Sequence, residues 1–157
     1  MSISYRLKTV AGLVTQGNTI ADIGTDHGYV PVFLLKNEKI PRAIAVDISK
    51  GSLQKAQENA IRCGLTDRME CRLSDGLTAL APGEADTIII CGMGGILMRR
   101  ILEEGKETAV SAKELILSPH RNPELICDFL KENGFTIIYD EIIEDKKKQY
   151  RLIKGVK

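Results

Sequence analysis

The chain is short of the residues that build metal sites and disulfide frameworks. It has only two histidines and four cysteines, and Cys63, Cys71, Cys91 and Cys127 are scattered without a CxxC pair. That pattern argues against a structural zinc site or a disulfide scaffold and fits reduced thiols, so no metal is expected. A charge excess is missing too: 22 Lys+Arg face 21 Asp+Glu, for a formal net charge of +1. A uniformly basic nucleic-acid clamp is thereby excluded, and any polyanion must be met by a local patch. No apolar run approaches the roughly 18 residues of a membrane span. The first eight residues carry charge where a signal peptide needs an apolar stretch. No membrane association and a cytoplasmic location are therefore expected. Repeats, low-complexity tracts and Pro/Gly/Ser linkers are also lacking. The expectation is one domain over 1–157, with an N-terminal helix over 1–17 and a core over 19–157. The sequence does not set the oligomeric state, and a monomer is the working expectation.

What is present is an ordinary core composition, 43% hydrophobic and 27% charged, over 157 residues. A chain of that length buries roughly 70% of its unfolded surface. Ile3, Leu7, Val10 and Val14 recur at helical spacing, with Gly17 to end the helix. Short apolar strands are predicted at Thr19–Ile23, Ala43–Asp47, Arg68–Leu73, Thr87–Cys91 and Leu115–Ser118. Helices are predicted between them. One spans Tyr29–Asn37. A second is capped by Ser49, stopped by Gly64, and turns Leu53, Ala56, Ala60 and Ile61 inward. A third carries Ile96, Leu97, Ile101 and Leu102 inward. A fourth starts at Asn122-Pro123 and buries Leu125, Ile126, Phe129 and Leu130. Phe135–Ile143 and Gln149–Ile153 have no helix between them and should pair antiparallel around a solvated Lys146–Lys148 tip. The fold class is α/β: a seven-stranded, mostly parallel, doubly wound Rossmann-like sheet with a C-terminal antiparallel hairpin.

In such sheets ligands bind beyond the carboxyl ends of the strands, where strand order reverses. Strand one ends in Asp22-Ile23-Gly24-Thr25-Asp26-His27-Gly28. Gly24 and Gly28 allow a sharp turn close to a ligand. They do not make the GxGxxG that cradles a pyrophosphate. Asp22 and Asp26 repel phosphate and suit a cation instead. Asp47, followed by Ile48, closes strand two, where an acidic side chain takes ribose hydroxyls. That position alone fits either a nicotinamide dinucleotide or S-adenosylmethionine. Asp75-Gly76 closes strand three and suits an adenine amino group. Acidic groups at three successive strand ends favour S-adenosylmethionine, whose sulfonium and ammonium are both positive. Strand four ends in Cys91-Gly92-Met93-Gly94-Gly95. This turn admits a flat ring but offers no acceptor for an exocyclic amine, which points to a ring nitrogen as the methyl acceptor.

At these residues the sequence resembles the bacterial tRNA (adenine-22-N1)-methyltransferase family. The resemblance lies in DIGTDHGYVP (Asp22–Pro31), Asp75-Gly76-Leu77, GMGG (Gly92–Gly95), Leu115–Pro119, the opening Arg6-Leu7 helix and Tyr150. It implies a class I methyltransferase domain that uses S-adenosyl-L-methionine to methylate N1 of an adenine in tRNA. In the family a helical extension follows this domain, whereas this sequence stops at Lys157. The resemblance carries over Gly24, Asp26, His27, Asp47, Asp75, Gly76 and Gly92–Gly95, the strand ends add their neighbours, and the need for a basic patch adds Arg6, Lys8, Arg99, Arg100, Arg121 and Arg151 as candidates. Asp22, Gly24, Asp26, Gly28, Asp47, Ile48, Asp75, Gly76, Gly92 and Met93 are expected at the cofactor. Asp26 and His27 are expected in catalysis. Arg6, Gly94, Gly95, Arg99, Arg100, His120 and Tyr150 are expected at the tRNA. Two positions depart from the family pattern: Ser118-Pro119-His120 replaces Gln-Pro-Asn, and Arg151 replaces an acidic residue after the last-strand tyrosine. Two other readings are a cofactor-binding domain without turnover and a small-molecule methyltransferase.

Overall fold

The computed structural model describes residues 2–157. Met1, the first residue of the expected N-terminal helical segment, lies outside them. Seven strands form one sheet: β1 (Ile20–Ile23), β2 (Ala43–Asp47), β3 (Met69–Leu73), β4 (Thr87–Met93), β5 (Glu114–Pro119), β6 (Thr136–Asp145) and β7 (Lys148–Val156). Their spatial order is β3-β2-β1-β4-β5-β7-β6. β1 to β5 are parallel, while β7 runs antiparallel to both β5 and β6. The chain therefore winds outward from β1 in one direction and, from β4, in the other. The reversal lies between β1 and β4.

Six helices cover the sheet: α1 (Tyr5–Leu13), α2 (Tyr29–Lys36), α3 (Lys50–Arg62), α4 (Gly95–Glu104), α5 (Lys106–Ser111) and α6 (Pro123–Glu132). Strand alternation divides the core between two faces. Ile89 packs with Val10, Leu34, Leu35, Ala56 and Ala60 of α1, α2 and α3. Ile88 and Ile90 pack with Met98, Leu102, Phe129 and Leu130 of α4 and α6. Burial on both faces explains why β4 reads as an unbroken apolar run. Among the described residues, no helix is long and apolar enough to cross a membrane.

Helix ends account for most of the boundaries. Ser4 caps α1 by accepting from the Leu7 amide at 3.2 Å, and Ser49 caps α3 through the Ser52 amide at 3.3 Å. The last turn of α1 has no basic residue of its own. Its terminal carbonyls accept instead from Lys39, at Ala11 and Gly12, and from Lys154, at Leu13.

Several expectations are corrected. Ile61, Ile96 and Leu97 are exposed rather than inward. On α4 the buried side chains are Met98, Ile101 and Leu102, so Ile101 and Leu102 face inward as expected and Met98 takes the place of Ile96 and Leu97 in the first turn. Asn122 gives α6 no side-chain cap; it adopts the left-handed region (φ 51°) and its amide reaches Glu124. Helix α5 is absent from the sequence-based prediction because six residues are too few to display a period.

The glycine-rich turn begins inside β4. The β4–β5 register shifts between Cys91 and Met93, and Gly92 at φ 80° is the bulged residue. Gly95 then opens α4 with its amide on the Arg121 carbonyl at 2.8 Å. A Cβ at Gly95 would run into the carbonyl oxygens of Arg121 and Asn122, which are backbone and cannot swing away. Gly95→Ala should therefore cost about 1–3 kcal/mol through overpacking. Urea unfolding checks this, and an unshifted midpoint would show that the β5–α6 loop yields freely.

Candidate active site

The loop after β1 folds back over the end of β2. The Gly24 and Thr25 amides both donate to the Val46 carbonyl at 2.9 Å. Asp47, at the end of β2, accepts the Asp26 amide on Oδ2 and the Ser49 amide on Oδ1, each at 2.9 Å. Each carboxylate oxygen keeps lone-pair capacity for a ligand. Held this way, Asp26 sits in the left-handed region (φ 57°) with its side chain 70% exposed. His27 Nε2 lies 3.6 Å from Asp26 Oδ1, and His27 Nδ1 shares a 2.9 Å hydrogen bond with the Tyr29 hydroxyl. Asn59 of α3 donates to the His27 carbonyl at 2.8 Å.

A cleft of about 220 Å³ opens at the β1–β4 reversal, lined among others by Arg6, Asp22, Thr25, Asp26, Tyr29 and Gly92. Asp22 is buried beneath it, with the Thr25 hydroxyl donating to Oδ2 at 2.9 Å. Burial pushes the Asp22 carboxyl up to about 7; the Thr25 bond opposes this, and the nearby Asp47 and Asp26 carboxylates add to it. Burial, together with Asp22, also pushes the Cys91 thiol up to about 12. Cys91 is thus a protonated wall of the cleft and not a nucleophile.

The remaining expected residues divide into several places. Asp22, Gly24, Asp26 and Gly92 line the cleft, and Ile48 stands exposed just beyond Asp47. Asp75 and Gly76 lie on a separate groove with Leu77, Ile101 and Glu104. Gly28 does not line the cleft: it opens α2 in the left-handed region with its free face against Ala56 and Met69. His120 and Tyr150 line a neighbouring cleft of about 150 Å³ with Pro119, Pro123 and Ile142. The His120 amide donates to the Met93 carbonyl at 2.8 Å, which joins that loop to the glycine turn. Gly94 has nothing over its open face, whereas Gly95 is closed by the β5–α6 loop.

The three arginines expected at the tRNA lie in three different settings. Arg99 is taken up internally: it pairs with Glu103 and Glu132 at 2.8 and 2.7 Å, donates to the Leu125 carbonyl, and lies over the Phe129 ring. Arg100 stays exposed beside Glu104. Arg6 lines the main cleft, its guanidinium 4.7 Å above the Tyr150 ring. Sequence reasoning assigned no role to Thr25, Tyr29, Asn59 or Cys91. Asn59 carried a signal: an amide three residues after Ala56 and next to Ala60, on a face that is otherwise buried.

The fold and the acidic strand ends define a Rossmann-like methyltransferase domain. The family described as "Methyltransferase domain" matches residues 3–153. The chain is 37% identical over 153 residues to the tRNA (adenine(22)-N(1))-methyltransferase of Bacillus subtilis (strain 168), covering 98% of this chain and 64% of that protein. The crystal structure of the B. subtilis tRNA methyltransferase TrmK superposes with a TM-score of 0.93 at 36% identity, over 99% of this chain and 66% of that one. M. capricolum TrmK, in complex with S-adenosyl-homocysteine, superposes with a TM-score of 0.91 at 31% identity, over 100% of this chain and 70% of that one. The chain belongs to the tRNA (adenine-22-N1)-methyltransferase family within the methyltransferase-domain fold. It spans about 64% of the length of its B. subtilis relative.

Asp22 also sets a pH dependence. Its carboxyl titrates near 7 in the folded chain and near 3.8 as an ordinary aspartate. Between those values the native state holds the proton more tightly than the unfolded chain. Stability from this group is therefore full at low pH, is lost as pH rises through the window, and is level above it. Asp22→Asn should match the parent at pH 4 and be the more stable of the two at pH 8. A difference in urea midpoint that does not change with pH would remove Asp22 from this role.

Proposed function

We propose that this chain is an S-adenosyl-L-methionine-dependent methyltransferase acting on N1 of adenine 22 in tRNA, in the cytoplasm. The observation that carries the proposal is Asp22: a buried carboxylate at the strand-order reversal, flanked by two more carboxylates and held in no ion pair among the described residues. That site fits a positively charged cofactor and disfavours a pyrophosphate. The relatives support the same reading. The B. subtilis protein is named for this reaction. A Streptococcus pneumoniae relative, 36% identical with a TM-score of 0.94, was solved with S-adenosyl-L-methionine.

Asp47 would hold the ribose hydroxyls, Ile48 would cover the adenine, and Asp22 would face the positive methionyl end. When bound, the cofactor supplies an electrophilic methyl group on its sulfonium. The chain's own part is positional, because unprotonated N1 attacks with its own lone pair and needs no covalent enzyme intermediate. Gly92 and Gly94 give the ring a close approach without side chains, and His120 and Tyr150 line the adjoining cleft that would receive the base. Attack places positive charge on the adenine ring. A carboxylate beside it stabilises that state more than the neutral ground state. Asp26 is the group for this, with His27 positioned against it by the Tyr29 hydroxyl. In an alternative role, Asp26 accepts the N6 proton as a base. Exposed cations such as Lys8, Arg100 and Arg121 supply the local patch for tRNA phosphates in a chain of net charge +1.

The test is methyl transfer from labelled S-adenosylmethionine to an unmodified tRNA transcript and to one with guanine at position 22. Label is expected only in the first, as N1-methyladenosine; equal labelling, or none, overturns the proposal. Asp26→Asn should lower turnover by roughly 10²-fold with little change in cofactor affinity, on the scale of a lost electrostatic stabiliser. Asp47→Ala should weaken cofactor binding by about tenfold or more in calorimetry, since a hydrogen bond to a charged group is worth about 1.5–3 kcal/mol.

A further inference from the structure

The β6–β7 hairpin reaches past the carboxyl end of β5, the side on which the clefts open. The last β5–β7 pair is Leu117 opposite Ile153, and from Ile153 out to Lys148 the strand advances about 17 Å. This arm is fastened on both flanks. Asp145 Oδ2 accepts the Arg6 amide in the first turn of α1 at 3.1 Å, and the Arg6 guanidinium lies over the Tyr150 ring. On the other flank, Ile142, Gln149 and Arg151 line the cleft of about 150 Å³ together with Pro119 and His120. Beyond these holds stands the tip, Lys146, Lys147 and Lys148, with all three side chains exposed.

Two observations set the tip apart. The first is that the fold takes up other lysines but not these. Lys39 and Lys157 donate to backbone carbonyls, Lys113 pairs with Asp86, and Lys154 pairs with Glu114. Among the described residues, Lys146, Lys147 and Lys148 make no ion pair, although Asp145 stands opposite Lys148 in the ladder. The Asp145 carboxylate is turned to α1 instead, and Asp140 is held by Arg151, which leaves Glu141 and Glu144 on β6 as the other acids of the arm. The second observation is the backbone. Lys146 and Lys147 form the two-residue turn with φ of 51° and 67°. Asn-Gly is the pair that suits this left-handed geometry, so two lysines hold it at a cost in stability. An unpaired cationic tip kept at that cost, beside a cleft, fits a polyanion met by a local patch in a chain of net charge +1. We propose that the β6–β7 arm is a phosphate grip: Lys146, Lys147 and Lys148 meet the tRNA backbone beside the nucleotide whose base enters the cleft of His120 and Tyr150. The assignment rests on the methyltransferase reading above and places phosphate contacts on an element to which that reading gives none.

The experiment measures binding of an unmodified tRNA transcript over a range of salt, using the parent chain, the double variant Lys146→Asn/Lys147→Gly, and Lys148→Gln. Each lost phosphate contact should flatten the plot of log K against log salt by about one. The double variant should therefore lose about two from the slope and bind tRNA about tenfold or more weakly. Its urea midpoint should rise at the same time, because Asn-Gly relieves the turn. Affinity and stability moving in opposite directions is a result that a merely structural turn would not produce. Lys148→Gln should lose about one from the slope, and both variants should keep the parent's S-adenosylmethionine affinity in calorimetry. Slopes unchanged in both variants overturn the assignment. So does binding to phosphatidylglycerol vesicles that the double variant loses while its tRNA affinity stays intact, which is the membrane outcome. Should the double variant not fold, Lys148→Gln decides alone. A parent that binds and methylates tRNA no better than the variants refutes only the grip. A parent that binds no tRNA refutes the tRNA methyltransferase reading itself, and the role of the arm falls with it.

Discussion

The carboxylate of Asp47 holds the ligand end of this sheet together. One oxygen takes the Asp26 amide from the β1 loop, and the other takes the Ser49 amide at the start of α3. Hydrogen bonds to a charged group are worth about 1.5–3 kcal/mol each. Two of them outweigh the cost, about 1–3 kcal/mol, of keeping Asp26 in the left-handed region. The bond to the Asp26 amide therefore does two things. It fixes the loop that walls the cleft, and it forces the Asp26 side chain outward to the cleft mouth instead of down into the core. Everything placed by that loop follows from it: Thr25 bonded to Asp22, His27 beside Asp26, and Gly28 at the start of α2.

The two ends of the sheet treat a buried carboxylate in opposite ways. At the amino end, Glu114 is buried in β5. It accepts the Thr15 amide and hydroxyl at 2.9 and 2.7 Å and the Thr87 hydroxyl at 2.8 Å, with the Lys154 ammonium 3.3 Å away. Burial alone would raise its pKa, but those donors and Lys154 together bring it below the usual carboxylate range. At the carboxyl end, Asp22 is as deeply buried but receives one hydroxyl and faces two further carboxylates, so its pKa rises. Burial is common to both residues and only the partners differ. The amino end is a closed structural joint between the segment after α1, β4, β5 and β7. The carboxyl end leaves its buried carboxylate with one hydroxyl donor and no ion pair among the described residues.

The layout of the sheet was legible in the sequence because each face carries its own apolar pattern. β2 was placed to the residue, and the unbroken apolar run of β4 marked a strand covered on both sides. What failed was periodicity over short or end-of-helix segments. Ile96 and Leu97 read as inward, yet α4 begins only at Gly95, and its first turn points its side chains past the core. The strand ends could be located without knowing packing, which places Asp22 and Asp26 on one cleft, but the sequence gives no sign that Asp75 opens onto a separate groove. Thr25, Asn59 and the pairing of Arg6 with Tyr150 were not legible, because each matters through a contact spanning an element boundary or nearly the whole chain.

The arginines show most clearly why charge in a sequence does not give availability in a structure. Arg99 and Arg100 are adjacent, and each has a glutamate four residues on, the usual helical pairing. One helical step, about 100°, separates their fates. Arg99 faces α6, where Glu132, the Leu125 carbonyl and the Phe129 ring complete its shell, and it becomes a clamp between two helices. Arg100 faces outward with one long contact to Glu104. The Arg99 clamp has a consequence for the site, because α4 begins at the glycine turn and α6 begins just after His120. Fixing those two helices to each other also fixes the distance between the glycine turn and the loop that lines the neighbouring cleft. Arg99 thus sets the spacing of those two loops from within the fold, whereas Arg6 and Arg100, whose guanidinium groups make no hydrogen bond among the described residues, take no such part in it.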